Sequence, residues 1–173
     1  MILGMSVETF TLLHVIISLI GIASGLLVLF GLLAGSALPR LTTIFLTTTV
    51  LTSVTGLFFP LKAIGPPHIV GAISLVVSAP AIFALYGKLL AGSWRVIYIF
   101  GAVFSLYLNA FVGVVPAFQK IAFFNVPAPT QKEPPVLIAQ AITLVFFIVL
   151  GVIALKKFRP VGGTHRGVIT RAY

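Results

Sequence analysis

Five long apolar runs separated by short polar or proline-bearing breaks take up most of the chain. They extend from about Phe10 to Ala34, Leu41 to Phe59, His68 to Tyr86, Trp94 to Phe118 and Val136 to Leu155. A membrane-spanning helix needs about 20 mostly apolar residues, so each run predicts a span. The breaks have physical causes. "GSALPR" after the first run combines glycine with proline, Pro60 stops the second, and "GPP" precedes the third. Pro66 and Pro67 lack the N–H that a helix interior requires, so they suit a helix start. The second run is short and rich in threonine. The expected fold is all-α: a polytopic bundle of five transmembrane helices forming one integral membrane domain, with a basic tail over residues 156–173.

Composition agrees. The 173 residues are 60% hydrophobic and 8% charged, against about 25% charged in a soluble domain. Eleven Lys and Arg oppose two acids, for a formal net charge of +9. These bases lie between and after the apolar runs, so they speak of topology rather than of nucleic acid. With the C-terminus inside and the spans alternating, Arg40, Lys88, Arg95, Lys156, Lys157, Arg159, Arg166 and Arg171 fall inside, and Lys62, Lys120 and Lys132 fall outside. The excess predicts an outside N-terminus and a cytoplasmic C-terminus. Tyr86 and Trp94 then sit near the inner interface, and Glu8 and Glu133 fall outside. No basic residue precedes the first run, so it is expected to stay as a span rather than act as a cleaved signal. Met5 is an alternative start to Met1. The tail "KKFRPVGGTHRGVITRAY" reads as a stop-transfer segment near anionic lipid, with no role for His165.

Spans without a hydrophobic drive between them associate through small residues and hydrogen bonds. Gly21 with Gly25 and Gly31 with Gly35 form small-xxx-small pairs, expected to serve packing within the bundle, with a homodimer seam as the lesser alternative. Thr48, Thr52 and Thr55 share one face of the second span, and Tyr98, Ala102, Ser105 and Asn109 share one face of the fourth. An Asn facing lipid is costly, so that face is expected to look inward. The long connection "QKIAFFNVPAPTQKEPP" predicts an ordered, extended outer cap.

Depth brings candidate chemistry together. His14, His68, Thr52, Thr55, Asn109 and Gln140 all fall in the outer half of their spans, forming a polar layer fed by every helix. The plainest reading is interhelical hydrogen bonding. A sharper one places haem b between His14 and His68, axial ligands from two helices at similar depth, with Gly71 making room for the macrocycle. A third is a quinone pocket, with His, Asn or Gln bonding to its oxygens. A metal is disfavoured, because only Glu8 and Glu133 add carboxylates. The absences exclude more. No Cys and no Asp occur, and no acid lies within a run. Thiolate chemistry, a Ser-His-Asp hydrolase and a carboxylate proton relay are thereby removed, which points away from an enzyme.

The stretch "ALYGKLLAGSWRVIYIFGAVFSLYLNAFVGVVPAFQK" with "APTQKEPP" resembles a recurrent type of small bacterial multi-span protein. The resemblance implies a bacterial inner membrane and carries no chemistry. Five spans are also similar in size to the translocator-protein architecture, whose tryptophan richness is missing from a chain with one Trp. The leading expectation is a non-catalytic accessory or assembly subunit of a bacterial inner-membrane complex. Its partners are the lipid bilayer and other membrane subunits or a second copy, and nucleic acid is not among them. The alternatives are an electron-transfer protein holding haem b or quinone at His14 and His68, and a transporter of a small apolar solute.

Overall fold

A computed structural model describes residues 1–59 and 66–159. The expected helix stop at Pro60, the placement of Lys62 and the tail from residue 160, with His165, Arg166 and Arg171, lie outside the described residues. The fold is all-helical: α1 (Val7–Leu33), α2 (Pro39–Leu57), α3 (Pro66–Ile82) continuing into a wide π-helical turn (Phe83–Gly87), α4 (Trp94–Lys120), the single turn α5 (Ala122–Asn125) and α6 (Pro134–Lys157). Four of these segments are long and apolar enough to cross a membrane: α1, His68–Gly87, α4 and α6. The least apolar long helix, α2, is not among them. Its threonines and Arg40 dilute an otherwise apolar sequence.

Local chemistry sets the boundaries. Ser6 caps α1 by accepting from the Thr9 backbone N–H at 3.1 Å, which starts the helix three residues before Phe10. The helix ends on Gly35 at φ +72°, with Ser36 N–H bonded to Gly31 O at 2.8 Å and Gly35 N–H to Leu32 O at 3.1 Å. That is a Schellman end, for which glycine is the usual residue. Pro39 opens α2 and Pro134 opens α6, where no donor is missed. Pro80 stands inside α3 and cannot donate to the Val76 carbonyl. The helix widens into its π turn three residues later.

Consecutive long helices run antiparallel, and one register governs α1 on α2. Phe10 meets Phe59 edge to face at 5.3 Å, and His14 meets Thr55. A Cβ on Gly21 would stand 3.2 Å from the Thr48 hydroxyl, and one on Gly25 would stand 2.7 Å from the Phe45 ring. Gly25 also takes the Leu106 side chain of α4, 2.6 Å from the same imagined Cβ. The Gly21/Gly25 pair therefore packs helices within one chain. Gly101 does the same for α4 on α3, where a Cβ would stand 2.6 Å from that of Ala81. The apolar core, including Leu29, Phe45, Ile99, Leu106 and Phe158, fills the half nearer Lys88 and Arg95. On the periphery, α6 packs on α4 and α1 and exposes Leu137, Ile142 and Val145.

The connection after α4 is ordered, as expected, but turns helically at α5 rather than running extended. Phe118, Ala128 and Val136 form a small core beneath it. Asn125 donates to Phe118 O at 3.1 Å, and Gln119 Nε2 donates to the side-chain Oε1 of Gln131 at 3.2 Å.

Candidate functional site

The polar groups divide between two ends of the bundle. The histidine end holds the start of α1, the end of α2 and the start of α3. His14 Nδ1 lies 2.7 Å from Thr55 Oγ1. The Thr55 hydroxyl gives its one proton to Leu51 O, also at 2.7 Å. It must then accept from His14, so the network assigns a proton to Nδ1. The imidazole also meets the Phe59 ring edge to face at 5.2 Å. His68 lies across α2: its Nε2 approaches Phe59 O at a long 3.4 Å, and its Nδ1 is buried without a partner.

The two histidines share a level but do not converge. They belong to helices that flank α2, and Phe59 contacts both, His14 through its ring and His68 through its carbonyl. Gly71 opens no room for a macrocycle. A Cβ there would stand 3.4 Å from Ser53 O, so the glycine brings α3 against α2.

Asn109 faces inward, as the α4 periodicity suggests, along with buried Tyr98, Ala102 and Ser105. Its Nδ2 donates to Thr49 Oγ1 at 3.1 Å and lies 3.6 Å from an imagined Gly21 Cβ. Thr49, fully buried, was not a sequence candidate. Its clue was that it falls at i, i+4 with Ser53 on a second hydroxyl face of α2. The Thr48, Thr52, Thr55 face instead lies against α1. Thr48 and Thr55 return their hydroxyls to Ile44 O and Leu51 O at 2.7 Å, whereas Thr52 Oγ1 is buried and unpartnered. Gln140 donates to Phe111 O at 3.1 Å, and its Oε1 is unpartnered. Gln140 therefore belongs to the seam of α6 with α4, whereas Asn109 belongs to that of α4 with α2. The polar layer is thus several local pairs on different seams.

The other end is also furnished with polar groups. Arg95 Nη1 donates to Leu155 O at 2.9 Å and to Phe158 O, supplying carbonyls that the end of α6 would leave orphaned. Thr43 and Tyr86 share a hydrogen bond of 2.8 Å, and the Tyr98 hydroxyl meets buried Thr42. The Lys88 ammonium stands 5.6 Å from the Phe83 ring and 5.7 Å from the Trp94 ring, within cation–π range. In mid-bundle, Ser78 and Ser105 bond to each other at 3.0 Å.

Outside the spans, Glu133 Oε1 accepts from the Thr130 hydroxyl at 2.7 Å and its backbone N–H at 3.0 Å. The side-chain bond from Thr130 is the main cause that holds the carboxyl below its ordinary range. No group of three or more His, Cys, Asp or Glu converges to hold a metal among the described residues. Comparisons with family models, curated proteins and solved structures return no match.

Proposed function

We propose that this protein is a non-catalytic accessory or assembly subunit of a bacterial inner-membrane complex. It crosses the bilayer five times, N-terminus outside and C-terminus cytoplasmic, with α2 as the fifth span. The observation that carries the reading is how the polar side chains are used. His14 with Thr55, Asn109 with Thr49, Ser78 with Ser105, and Arg95 with the end of α6 each tie two helices together. Such pairs position helices and, among the described residues, leave no convergent set to act on a substrate. The inclusion of α2 is supported by its antiparallel seam with α1 from Gly25–Phe45 to Phe10–Phe59. Orientation is supported by the bases Lys88, Arg95, Lys156 and Lys157 near one end. The exposed face of α6 is the natural contact for another subunit, since few of its residues are needed by its own chain. A photo-crosslinking residue at Ile142 on α6 should capture a defined neighbour in native membranes, and one at Ile44 on α2 should capture less. Crosslinking at neither position, with a lone monomer after mild extraction, would overturn the reading.

A quinone-binding protein is a second reading, and one observation favours it. A groove of about 200 Å³ lies between α4 and α6, lined by apolar side chains including Phe104, Tyr107, Phe147 and Leu155. Organic extraction of the purified protein should then yield stoichiometric quinone, and a quinone-free extract removes this reading. Haem b between His14 and His68 is not favoured, because Phe59 separates them. An optical spectrum with a Soret band lost in His14→Ala would reverse that judgement.

A further inference from the structure

Ser74 is 2% exposed, sits about 12 Å along α3 from its first residue, and has a hydroxyl with no hydrogen-bond partner. Serine and threonine in a membrane helix ordinarily return the hydroxyl to the carbonyl four residues back. Ser18, Ser24, Ser53, Thr48, Thr55 and Thr143 all do so. Ser74 and Thr52 do not, so their hydroxyls are turned from their own helices toward the seams.

The register on α4 identifies what Ser74 faces. Ser78 bonds to Ser105 and Ala81 meets Gly101. One antiparallel turn further along, Ser74 falls opposite Asn109. The Asn109 carboxamide already reaches Thr49 of α2, and its Nδ2 lies 3.6 Å from where a Cβ on Gly21 of α1 would stand. Four helices therefore bring small or polar residues to one level: Gly21, Thr49, Ser74 and Asn109. Toward the histidine end the polar groups continue through Ser53, Thr52 and the His14–Thr55 pair to His68, whose Nδ1 is also unpartnered.

The other direction is closed. Phe45 and Leu106 press on Gly25 and are 1% exposed, Ser78 and Ser105 satisfy each other, and Ala81 abuts Gly101. Leaving a hydroxyl unpaired in an apolar medium costs several kcal/mol. Two such hydroxyls and the unpaired His68 Nδ1 lie on one side of the plug and, among the described residues, no unpaired buried side-chain atom lies on the other, which defines a direction of access.

We propose that α1–α4 enclose a one-sided polar pocket that admits water, a small neutral hydrogen-bonding ligand, from the histidine end down to Ser74 and Asn109, and that Phe45, Leu106 and the Ser78–Ser105 pair seal its floor. No charged side chain among the described residues lines this route, so an ion would find no partner there. The pocket is independent of the subunit reading, since a subunit with or without partners can be hydrated from one side.

The chain contains no cysteine, so single-cysteine variants report on their own positions. Only the thiolate reacts, and it forms poorly in apolar surroundings. A small neutral methanethiosulfonate should modify Ser74→Cys and Thr52→Cys at least about tenfold faster than the lipid-facing Val76→Cys or the sub-floor Ser105→Cys in reconstituted vesicles. Labelling of Ser74→Cys and Thr52→Cys no faster than Val76→Cys overturns the pocket, as does equal labelling of Ser105→Cys. Ser74→Ala gives an independent readout. If the hydroxyl holds water, its loss lowers the melting temperature. If it is a bare orphan, removing it raises the melting temperature, and that result overturns the proposal even where a cysteine variant fails to fold.

Discussion

The two ends of the bundle are built from similar residue types and treat them differently. At the arginine end no buried side-chain atom stands unpaired among the described residues, and several groups meet complements: Arg95 the last carbonyls of α6, Thr43 the Tyr86 hydroxyl, Lys88 the faces of Phe83 and Trp94. At the histidine end Thr52, His68, Ser74 and Gln140 each keep a buried atom unpaired. The apolar core lies with the satisfied end. Stability is thus concentrated at one end, while the other retains hydrogen-bonding capacity that its own helices do not use. Substitutions should separate the two by the size of their effects.

The largest loss is expected between the ends, at Gly101. A Cβ there meets that of Ala81 at 2.6 Å and Val77 O at 3.1 Å, and neither belongs to a flexible side-chain tip. Gly101→Ala must push α3 from α4 and should cost about 1–3 kcal/mol, measured by unfolding in mixed micelles. Next comes Arg95→Ala, which strips two carbonyls of a charged donor and should cost about 2 kcal/mol. Arg95→Lys should recover part of this, because an ammonium can still reach one carbonyl. Equal tolerance of Arg95→Ala and a histidine-end substitution would dissolve the contrast between the ends.

At the histidine end, His14→Ala and Thr55→Val should each cost less, with a coupling of about 0.6 kcal/mol in a double-mutant cycle, typical of bonds between membrane helices. The smallest effect concerns Glu133, outside the spans. Its carboxyl is held low in the folded state, so its contribution is complete at neutral pH and disappears as pH falls through that lowered value. Amide exchange at Thr130 should quicken over that acid interval, and Glu133→Gln should remove the pH dependence without disturbing the helices.

Apolar run length alone located all the long helices, and the inward Tyr98–Asn109 face of α4 followed from its period. The partners of those faces were not legible. Thr48, Thr52 and Thr55 recur at helical spacing whichever neighbour they meet, and only the seating of Phe45 and Leu106 on Gly25 determines that the neighbour is α1. The depth of His14 and His68 could be counted from span boundaries, but their separation by α2 depends on helix order around the bundle, on which residue spacing is silent. Arg95 looked like a topology signal. Its bonds to Leu155 and Phe158 span 60 and 63 residues of chain and leave no local pattern. The wide turn after Pro80 was equally hidden, since a proline within a span announces a break in bonding but not how the backbone absorbs it.

The tight link between α1 and α2 bears on how the protein is made. Only residues 34–38 separate the helices, and Gly35 turns the chain back at once. Standing alone, α2 is too rich in hydroxyls to partition readily into lipid. Thr43, Thr48, Ser53 and Thr55 mask those hydroxyls on their own carbonyls, and the Thr48, Thr52 and Thr55 face is the one α1 covers. On the five-span reading, α2 enters the bilayer as the trailing arm of a hairpin during synthesis, carried in by α1 before α3 has left the ribosome.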